Sequence, residues 1–387
     1  MRICLLEPYD TGSHHAWVEG YRRASAHEVI PLTLKGQFWK WRMHGGAVTL
    51  AHRYRQLGIA PDLLLATDML DLTTFLALTR DLCPDIPVAL YMHENQLTYP
   101  LRPGEKRDLH YGFINYASML CAKRIFFNSR FHLESWFEEL PRLLKHFPDH
   151  NELHTIAELR AHSEVLPLGL SLQRLDAPRP SVRQQGPALI LWNHRWEYDK
   201  APERFLRALY FLAERDLDFH VVLLGEHFVR VPPEFDQAHT RLGERIVQFG
   251  YVETFAEYAS WLWRADIVVS TAIQEFFGVA IAEAMYCDCL PILPNRLSYP
   301  QFIPTEYRHL CLYESEEELV ERLHHAVCHI DEIRNISLRE QVAHYDWSII
   351  APEYDRRLAA LIAPENAQER ENNERTCPRS NSSEANP

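Results

Sequence analysis

The sequence lacks the features that mark secreted, membrane-spanning and repeat proteins. None of its apolar runs approaches the ~20 residues that a bilayer-spanning helix needs. Its eight cysteines are scattered without the spacing of a disulfide framework, and its N-terminus lacks the architecture of a signal peptide. No internal repeat is present in the sequence. We therefore expect a protein of the reducing cytoplasm, without membrane association and with no stable protein partner implied.

An overall positive charge is also missing, which argues against a globally basic nucleic-acid binder. The formal net charge is −13 at pH 7, from 40 Lys and Arg residues against 53 Asp and Glu residues. Residues 1–185 hold 21 basic and 20 acidic residues, so the acidity is concentrated in the C-terminal half. We expect any polyanionic partner to bind the N-terminal half.

What the sequence does contain is an alternation of short apolar runs with helix-like stretches. This alternation predicts an α/β fold with two Rossmann-like domains. The polar, proline-rich segment 176–187 predicts a linker between an N-terminal domain, residues 1–175, and a C-terminal domain, residues 188–346. We expect residues 347–362 to form a helix and the aperiodic tail 363–387 to be disordered.

The strongest candidate site is the segment 274–285, which reads QEFFGVAIAEAM. It follows a β-branched run and predicts a strand, a loop with Glu275 and Gly278, and a helix that contains Glu283. A glycine turn at a helix start exposes backbone N–H groups that suit a phosphate. Glu283 lies among alanines and needs a partner if it is buried. The alternative is a solvated or dipole-stabilising glutamate.

A basic pair, Arg195 and Lys200, lies directly after the apolar run 188–192 in the segment NHRWEYDK. Two fixed cations would stabilise the charge of a departing nucleoside diphosphate without a metal. The alternative for isolated basic residues is surface solvation. Tyr251 and Val252 follow another predicted strand, where they could contact a nucleobase or simply form a turn.

Polar residues also follow the predicted strands of the N-terminal half. His93, Glu94 and Asn95 come directly after the apolar run 88–92, and Asn128 ends the next predicted strand. Side chains at the carboxyl ends of parallel strands point into the cleft where ligands bind. His93 could assist proton transfer, with Glu94 and Asn95 orienting it. The alternative is that the neighbours of His93 cap the backbone locally.

The segment 35–43, KGQFWKWRM, combines cations with aromatic residues, and no acidic residue occurs from Val29 to Pro61. Unstacked bases pack on aromatic and guanidinium planes, and phosphates pair with Lys and Arg. Lys40, Trp41 and Arg42 are therefore candidates for contact with RNA. The alternative is a loop whose tryptophans pack on the domain.

The spacing Glu-x7-Glu from Glu275 to Glu283, together with the upstream basic pair, resembles the donor site of retaining GT-B glycosyltransferases. The resemblance implies two Rossmann-like domains facing each other across a cleft, with a C-terminal helix crossing back to the first domain. It implies that Glu275 binds the sugar and that Glu283 binds the nucleotide ribose. The further donor-binding residues that it implies are Gly12, Ser13, Tyr251, Val252, Phe277, Gly278 and Val279.

Four longer strings resemble the tRNA-queuosine α-mannosyltransferase family, namely GSHHAWVEG, KWRMHGGA, HENQLTYP and FNSRFH. The implied reaction moves mannose from GDP-mannose to queuosine in the anticodon loop of tRNA-Asp, with retention of configuration and no metal cofactor. The implied catalytic residues are Arg195, Lys200, Glu275 and His93. The implied acceptor-binding residues are His14, Lys40, Trp41, Arg42, Glu94, Asn95 and Asn128.

Two other functions are compatible with the same residues. A retaining glycosyltransferase acting on a lipid or polysaccharide acceptor would share the donor motif but would work without tRNA. A non-catalytic nucleotide-sugar or RNA-binding module would keep the fold and lose turnover. The intact Arg195, Lys200 and paired glutamates favour an enzyme.

Overall fold

The computed structural model describes residues 1–82, 84–101, 104–181, 185–225 and 234–362, with only the backbone of Asp236 described. The tail predicted to be disordered, residues 363–387, lies outside the described residues. Within the described residues the chain forms two sheets of six strands each. The pairs within both sheets are parallel, as is expected when helices connect successive strands. No described helix is both long and apolar enough to cross a bilayer.

The first sheet has the strand order β2-β1-β3-β4-β5-β6. Its strands are β1 (Arg2–Asp10), β2 (Glu28–Lys35), β3 (Leu63–Thr67), β4 (Val88–Met92), β5 (Arg124–Phe127) and β6 (Ser163–Val165). The helices between them are α1 (Gly12–Ala24), α2 (Trp39–Leu57), α3 (Leu72–Thr79), α4 (Leu109–Leu120), α5 (Arg130–Leu144) and α6 (Thr155–Ala161).

The second sheet has the strand order β12-β11-β10-β7-β8-β9. Its strands are β7 (Ala188–Asn193), β8 (Phe219–Leu224), β9 (Ile246–Gly250), β10 (Ile267–Val269), β11 (Leu290–Pro294) and β12 (Leu312–Tyr313). Its helices are α7 (Pro202–Glu214), α8 (Glu234–Leu242), α9 (Phe255–Arg264), α10 (Val279–Tyr286), α11 (Arg308–Cys311), α12 (Glu316–Cys328), α13 (Ile330–Ile333) and α14 (Glu340–Ala343).

Each sheet is covered by helices on both faces, which explains the continuous apolar runs of its strands. Successive side chains of a strand point to opposite faces. In β1, Ile3 and Leu5 therefore join one hydrophobic cluster, whereas Cys4 and Leu6 join another. Because the strands are parallel, their carboxyl ends, which most of the candidate residues follow, share one edge of each sheet.

The last described helix, α15 (Trp347–Ala359), returns to the first domain and packs on α1. Trp17 donates from Nε1 to the Tyr354 hydroxyl at 3.1 Å. Asp355 accepts hydrogen bonds from the Tyr21 hydroxyl at 2.9 Å, from the Ser25 hydroxyl at 2.6 Å and from the Ala26 N–H at 2.8 Å. The predicted crossing helix and the two-domain α/β fold are thereby confirmed.

Replacing Asp355 by alanine should lower the free energy of unfolding by about 2–3 kcal/mol, because buried donors lose a charged acceptor. Chemical denaturation monitored by tryptophan fluorescence measures this change. Glu353→Ala on the same helix removes only surface ion pairs with Arg356 and Arg357, and should cost at most about 1 kcal/mol. Equal losses in the two variants would contradict the assigned role of Asp355.

The apolar runs of the sequence predict nine strands, at residues 2–7, 62–66, 88–92, 124–128, 188–192, 219–224, 246–249, 267–270 and 290–293, and the structure has a strand at each place. Three further strands of the described residues were missed. β2 is an edge strand that contains Pro31, which weakens its strand signal. β6 and β12 have three and two residues, too few for a periodic pattern. Sequence reasoning also did not predict that residues 39–43 are helical, since α2 begins at Trp39.

Candidate active site

Lys200 is buried at the end of the short 3-10 helix Tyr198–Lys200, which follows β7. Its Nζ lies 3.1 Å from the Gln274 carbonyl oxygen and 3.2 Å from Glu275 Oε2. Asp199 Oδ2 is also 3.2 Å from this Nζ. Burial lowers the pKa of Lys200, but Glu275 and Asp199 outweigh it and the net shift is upward. The structure thus places a permanent cation against the first glutamate of the motif.

Arg195 lies at the junction of two cavities. Its side chain is 51% exposed, and its Nη1 is 3.1 Å from Glu197 Oε1. One cavity, of about 450 Å³, lies in the second domain and is also lined by Tyr251, Val252 and Tyr258. The other, of about 520 Å³, lies between the domains. We call them the second-domain cavity and the interdomain cavity. A guanidinium between them suits an anionic group that spans both.

Glu283 lies in α10 and is held by a hydrogen-bond chain. The Tyr258 hydroxyl donates to Glu283 Oε2 at 2.7 Å, and Asn193 Nδ2 donates to the same hydroxyl at 3.2 Å. Burial raises the pKa of the Glu283 carboxyl, while the Tyr258 hydrogen bond opposes the shift. Tyr258 lines the second-domain cavity, whereas Glu283 is not among the lining residues and lies behind Tyr258.

Gly278 has a φ of 101°, which favours glycine over residues with a Cβ. A Cβ built there would lie 3.1 Å from Phe302 and 3.3 Å from Tyr299. Phe277 is buried against Phe302, so its ring packs in the core and only its backbone is available to a ligand. α10 begins at the next residue, Val279, and presents the N–H groups of its first turn.

His93 lies directly after β4 and is 7% exposed. Its backbone N–H donates to Asp68 Oδ1 at 2.7 Å, and its carbonyl accepts from Asn128 Nδ2 at 2.8 Å. Its ring centroid is 4.3 Å from that of His14, and its Nε2 has no hydrogen-bond partner among the described residues. Burial and the charge of His14 lower the pKa of His93 well below its usual value. His93 is therefore a neutral imidazole.

Sequence reasoning missed Glu7, which decides the charge of His14. Glu7 is fully buried in β1 and accepts from the Tyr9 N–H at 2.7 Å and from His14 Nδ1 at 2.8 Å. Burial lowers the pKa of His14, but Glu7 and Asp68 oppose it and raise that pKa to about 9. His14 is therefore an imidazolium at neutral pH, next to the neutral His93. An acidic residue inside an apolar strand run was the available signal.

The Glu7–His14 pair should make stability fall in alkaline solution. The folded-state pKa of His14, about 9, exceeds the ordinary 6.5, so its stabilisation is complete below pH 6.5 and disappears as the pH rises through 9. Burial raises the pKa of Asp68 to about 8, which acts in the same direction. Denaturation curves from pH 6 to 10 should therefore show a smaller decline for Glu7→Gln than for the wild type. An unchanged decline would contradict the ion pair.

Glu7, His14 and His93 are also arranged so that they could bind a metal cation. Glu7, His14 and His93 each offer a ligand atom, and these atoms lie within 4.8 Å of one another. Two imidazoles and a carboxylate are a set that zinc can use. The hydrogen bond between Glu7 and His14 explains their proximity without a metal. That no metal is required stays a prediction.

Two predicted acceptor residues make local hydrogen bonds. Asn95 Oδ1 accepts from the N–H groups of Leu97 and Thr98, at 3.1 and 2.9 Å, which is the capping role considered as the alternative. Asn128 bridges the His93 carbonyl and His132 Nδ1. Both asparagines therefore hold the strand-end loops in place.

The remaining predicted residues of the first domain divide between the interdomain cavity and the surface. Glu94 and Lys40 line the cavity. Trp41 is 64% exposed and packs over Gly45, whereas Arg42 donates from Nε to the Lys35 carbonyl at 3.0 Å. Gly12 and Ser13 are exposed at the start of α1. The further cavity residues Tyr9, Trp39, Tyr99, Arg107 and Tyr111 were not predicted from the sequence.

The two domains touch at both sides of the candidate site. Ser129, the N-cap of α5, donates a hydrogen bond from its hydroxyl to the carbonyl of Phe276, which lies in the Glu275–Gly278 loop. The rings of His132 and Phe276 lie 4.3 Å apart. Tyr198 donates to the Pro100 carbonyl at 2.6 Å. The two contacts of Phe276 hold the Glu275–Gly278 loop against the first domain, and Tyr198 ties the segment after β7 to the loop at Pro100.

Comparisons with solved structures show the same fold. Anabaena HepE in complex with UDP matches with a TM-score of 0.68 at 15% identity, covering 93% of this chain and 100% of HepE. Sucrose-phosphate synthase from Thermosynechococcus elongatus matches with 0.68 at 13% identity, covering 94% and 99%. A Rickettsia africae glycosyltransferase matches with 0.63 at 14% identity, covering 94% and 99%. The fold is that of the GT-B glycosyltransferases.

Sequence comparison supports the same class of enzyme. The model of the glycosyl transferases group 1 matches residues 187–329, which include Arg195, Lys200, Glu275 and Glu283. Taken with the two facing domains, this match defines the protein as a glycosyltransferase.

The comparison of the N-terminal half identifies a narrower family. Residues 2–170 match the model of the tRNA-queuosine alpha-mannosyltransferase N-terminal region. The Drosophila melanogaster tRNA-queuosine alpha-mannosyltransferase is 34% identical over 339 residues, covering 83% of this chain and 86% of the fly protein. The chain belongs to the tRNA-queuosine alpha-mannosyltransferase family.

Proposed function

We propose that the protein transfers mannose from GDP-mannose to queuosine in the anticodon loop of tRNA-Asp, with retention of the anomeric configuration. The observation that carries this proposal is the match of residues 2–170 to the tRNA-queuosine alpha-mannosyltransferase N-terminal model, together with the 34% identity to the fly enzyme. Since tRNA is its substrate, the enzyme acts in the cytoplasm.

In this proposal the donor lies along the second domain. The guanine base enters the second-domain cavity beside Tyr251 and Val252, and Glu283 binds the ribose hydroxyls. Arg195 and Lys200 stabilise the diphosphate as the sugar bond breaks. Glu275 binds the mannose hydroxyls, and the backbone N–H groups after Gly278 hold the sugar and phosphate. Ion pairing fixes the Lys200 cation in advance, so no reorganisation is needed during the reaction.

Retention follows from attack on the face that the diphosphate leaves. The acceptor hydroxyl approaches beside the leaving group and gives its proton to a phosphate oxygen, so no carboxylate nucleophile is used. His93, neutral and buried beside the cleft, positions the mannose, and the His14 imidazolium adds positive charge on the acceptor side.

The test is incubation of the purified enzyme with radiolabelled GDP-mannose and tRNA that contains or lacks queuosine. Label should appear only in the queuosine-containing tRNA. Equal labelling of both tRNAs would contradict the acceptor. Transfer to a lipid or polysaccharide extract instead of tRNA would favour the alternative transferase. Donor binding without any transfer or hydrolysis would indicate a non-catalytic module.

No metal is assigned to this mechanism, in which Arg195 and Lys200 contact the diphosphate. Treatment with EDTA followed by gel filtration should leave the transfer rate unchanged. A loss of activity that added zinc restores would contradict this proposal. Elemental analysis of wild type and His14→Ala would then test the Glu7–His14–His93 cluster as the binding site.

A further inference from the structure

The interdomain cavity has an aromatic wall that the predicted donor site does not use. Trp39 and Tyr111 lie with ring centroids 5.0 Å apart, and Tyr9 and Tyr99 also line the cavity. Lys40 Nζ is 5.5 Å from the centroid of the Trp39 ring. Flat aromatic faces with a nearby cation are what proteins use to stack an unpaired nucleobase.

The interdomain cavity is large enough for a single nucleoside and lies next to the second domain. Its volume of about 520 Å³ falls within the ~300–1,000 Å³ of small-molecule sites. One end is closed by Arg195 and Glu197 of the second domain. Because Arg195 also lines the second-domain cavity, a group at this end lies beside the donor diphosphate.

The loop that carries Tyr99, which forms part of the cavity wall, is held in place before any ligand binds. Arg107 donates from Nη1 to the Gln96 carbonyl at 2.8 Å and from Nη2 to the Tyr99 carbonyl at 2.7 Å. Tyr198 ties the same loop to the second domain through the Pro100 carbonyl. A preformed wall lowers the ordering cost of binding.

Extrusion of the acceptor base from its stack would bring the attacking hydroxyl to the donor. The attacking oxygen must come within about 3–3.5 Å of the sugar carbon. In the proposed function the donor lies beyond the end of the interdomain cavity that Arg195 forms. Enzymes that modify stacked bases swing the nucleotide out of the stack and pay a modest unstacking cost.

We propose that the interdomain cavity takes the acceptor nucleoside extruded from the RNA loop, with its base stacked on the Trp39–Tyr111 wall. The attached diol then points towards Arg195 and the donor. This inference rests on the proposed function and adds the mode of acceptor entry. Trp39 binds the base and contributes to acceptor affinity, without contact to the donor.

Trp39→Ala should lower kcat/KM for queuosine-containing tRNA by about 5- to 150-fold, the range for loss of one base–aromatic stack. Trp39→Phe keeps an aromatic plane and should recover most of the rate. Phe113→Ala is the matched control, because Phe113 is an exposed ring of α4 that does not line the interdomain cavity. Donor affinity, measured by GDP-mannose titration, should be unchanged in all three variants and reports intact folding.

A second readout detects extrusion itself. An anticodon stem–loop with 2-aminopurine next to queuosine should brighten when wild type or Phe113→Ala binds, since the reporter loses its stacking partner. Trp39→Ala at saturation should brighten it less. Equal kinetic losses in Trp39→Ala and Phe113→Ala, or no brightening with an active wild type, would overturn the inference. Absence of wild-type transfer to queuosine-containing tRNA would instead remove the proposed function.

Discussion

Replacing Arg195 by alanine should lower kcat by about 100- to 1,000-fold, the usual loss when one group that stabilises transition-state charge is removed. Arg195 is the basic side chain that lines both the second-domain and the interdomain cavity. In the proposed mechanism, negative charge develops on the diphosphate at this junction as the sugar bond breaks. Single-turnover measurement of mannose transfer at saturating substrate tests the chemical step directly.

Two further variants separate charge from geometry at this position. Arg195→Lys keeps a cation but loses the planar fork, and we expect an intermediate rate. Arg207→Ala removes an arginine of α7 that pairs with Glu316 on the outside of the domain, and it should keep the wild-type rate. Unchanged turnover in Arg195→Ala would rule out the proposed stabilisation of the diphosphate.

Replacing Glu283 by glutamine should raise the KM for GDP-mannose by about 10- to 100-fold, since hydrogen bonds to a charged group contribute about 1.5–3 kcal/mol. Tyr258 and Asn193 orient the carboxylate beside the second-domain cavity. The ribose is remote from the reacting carbon, so kcat should change little. Initial rates over a range of donor concentrations separate the two parameters.

The pH dependence gives an independent check on the same carboxylate. Burial raises the pKa of Glu283. On acidification, donor affinity should therefore begin to weaken at a higher pH than it would if this glutamate had an ordinary pKa. Glu283→Gln should lose this inflection, whereas Tyr258→Phe should move it upward because the Tyr258 hydrogen bond opposes the rise. An identical pH profile in the wild type and Glu283→Gln would contradict the ribose assignment.

The strand–loop–helix unit that carries Glu275 and Glu283 was predictable from sequence because its signals are local. The β-branched run, the glycine and the spacing of Glu275 and Glu283 all belong to one strand–loop–helix unit. The side chain of Phe277 was the exception, since its burial against Phe302 depends on residues distant in sequence. The conformation of Gly278, with its positive φ, agrees with the role that the glycine was given.

The first domain was less predictable from the sequence, because the sequence alone does not show in which direction its aromatic side chains point. Trp39 and Trp41 are two positions apart, but α2 begins at Trp39 and the helical turn sends their rings to different sides. As a result Trp39 lines the interdomain cavity and Trp41 lies on the surface. Glu7 was overlooked, although an acidic residue inside an apolar strand run is a signal, because its partner His14 lies on the following helix.

The sequence by itself determined the two-sheet α/β architecture and the resemblance to the tRNA-queuosine α-mannosyltransferase family, because apolar runs and strand-end strings are short-range patterns. Only the tertiary structure decided which polar groups meet. It brings Lys200 to Glu275 across 75 positions, and Tyr198 to Pro100 across 98. The first contact arises because β7 and β10 are neighbours in the second sheet, and the second because the two domains face each other. No window of neighbouring residues encodes either contact.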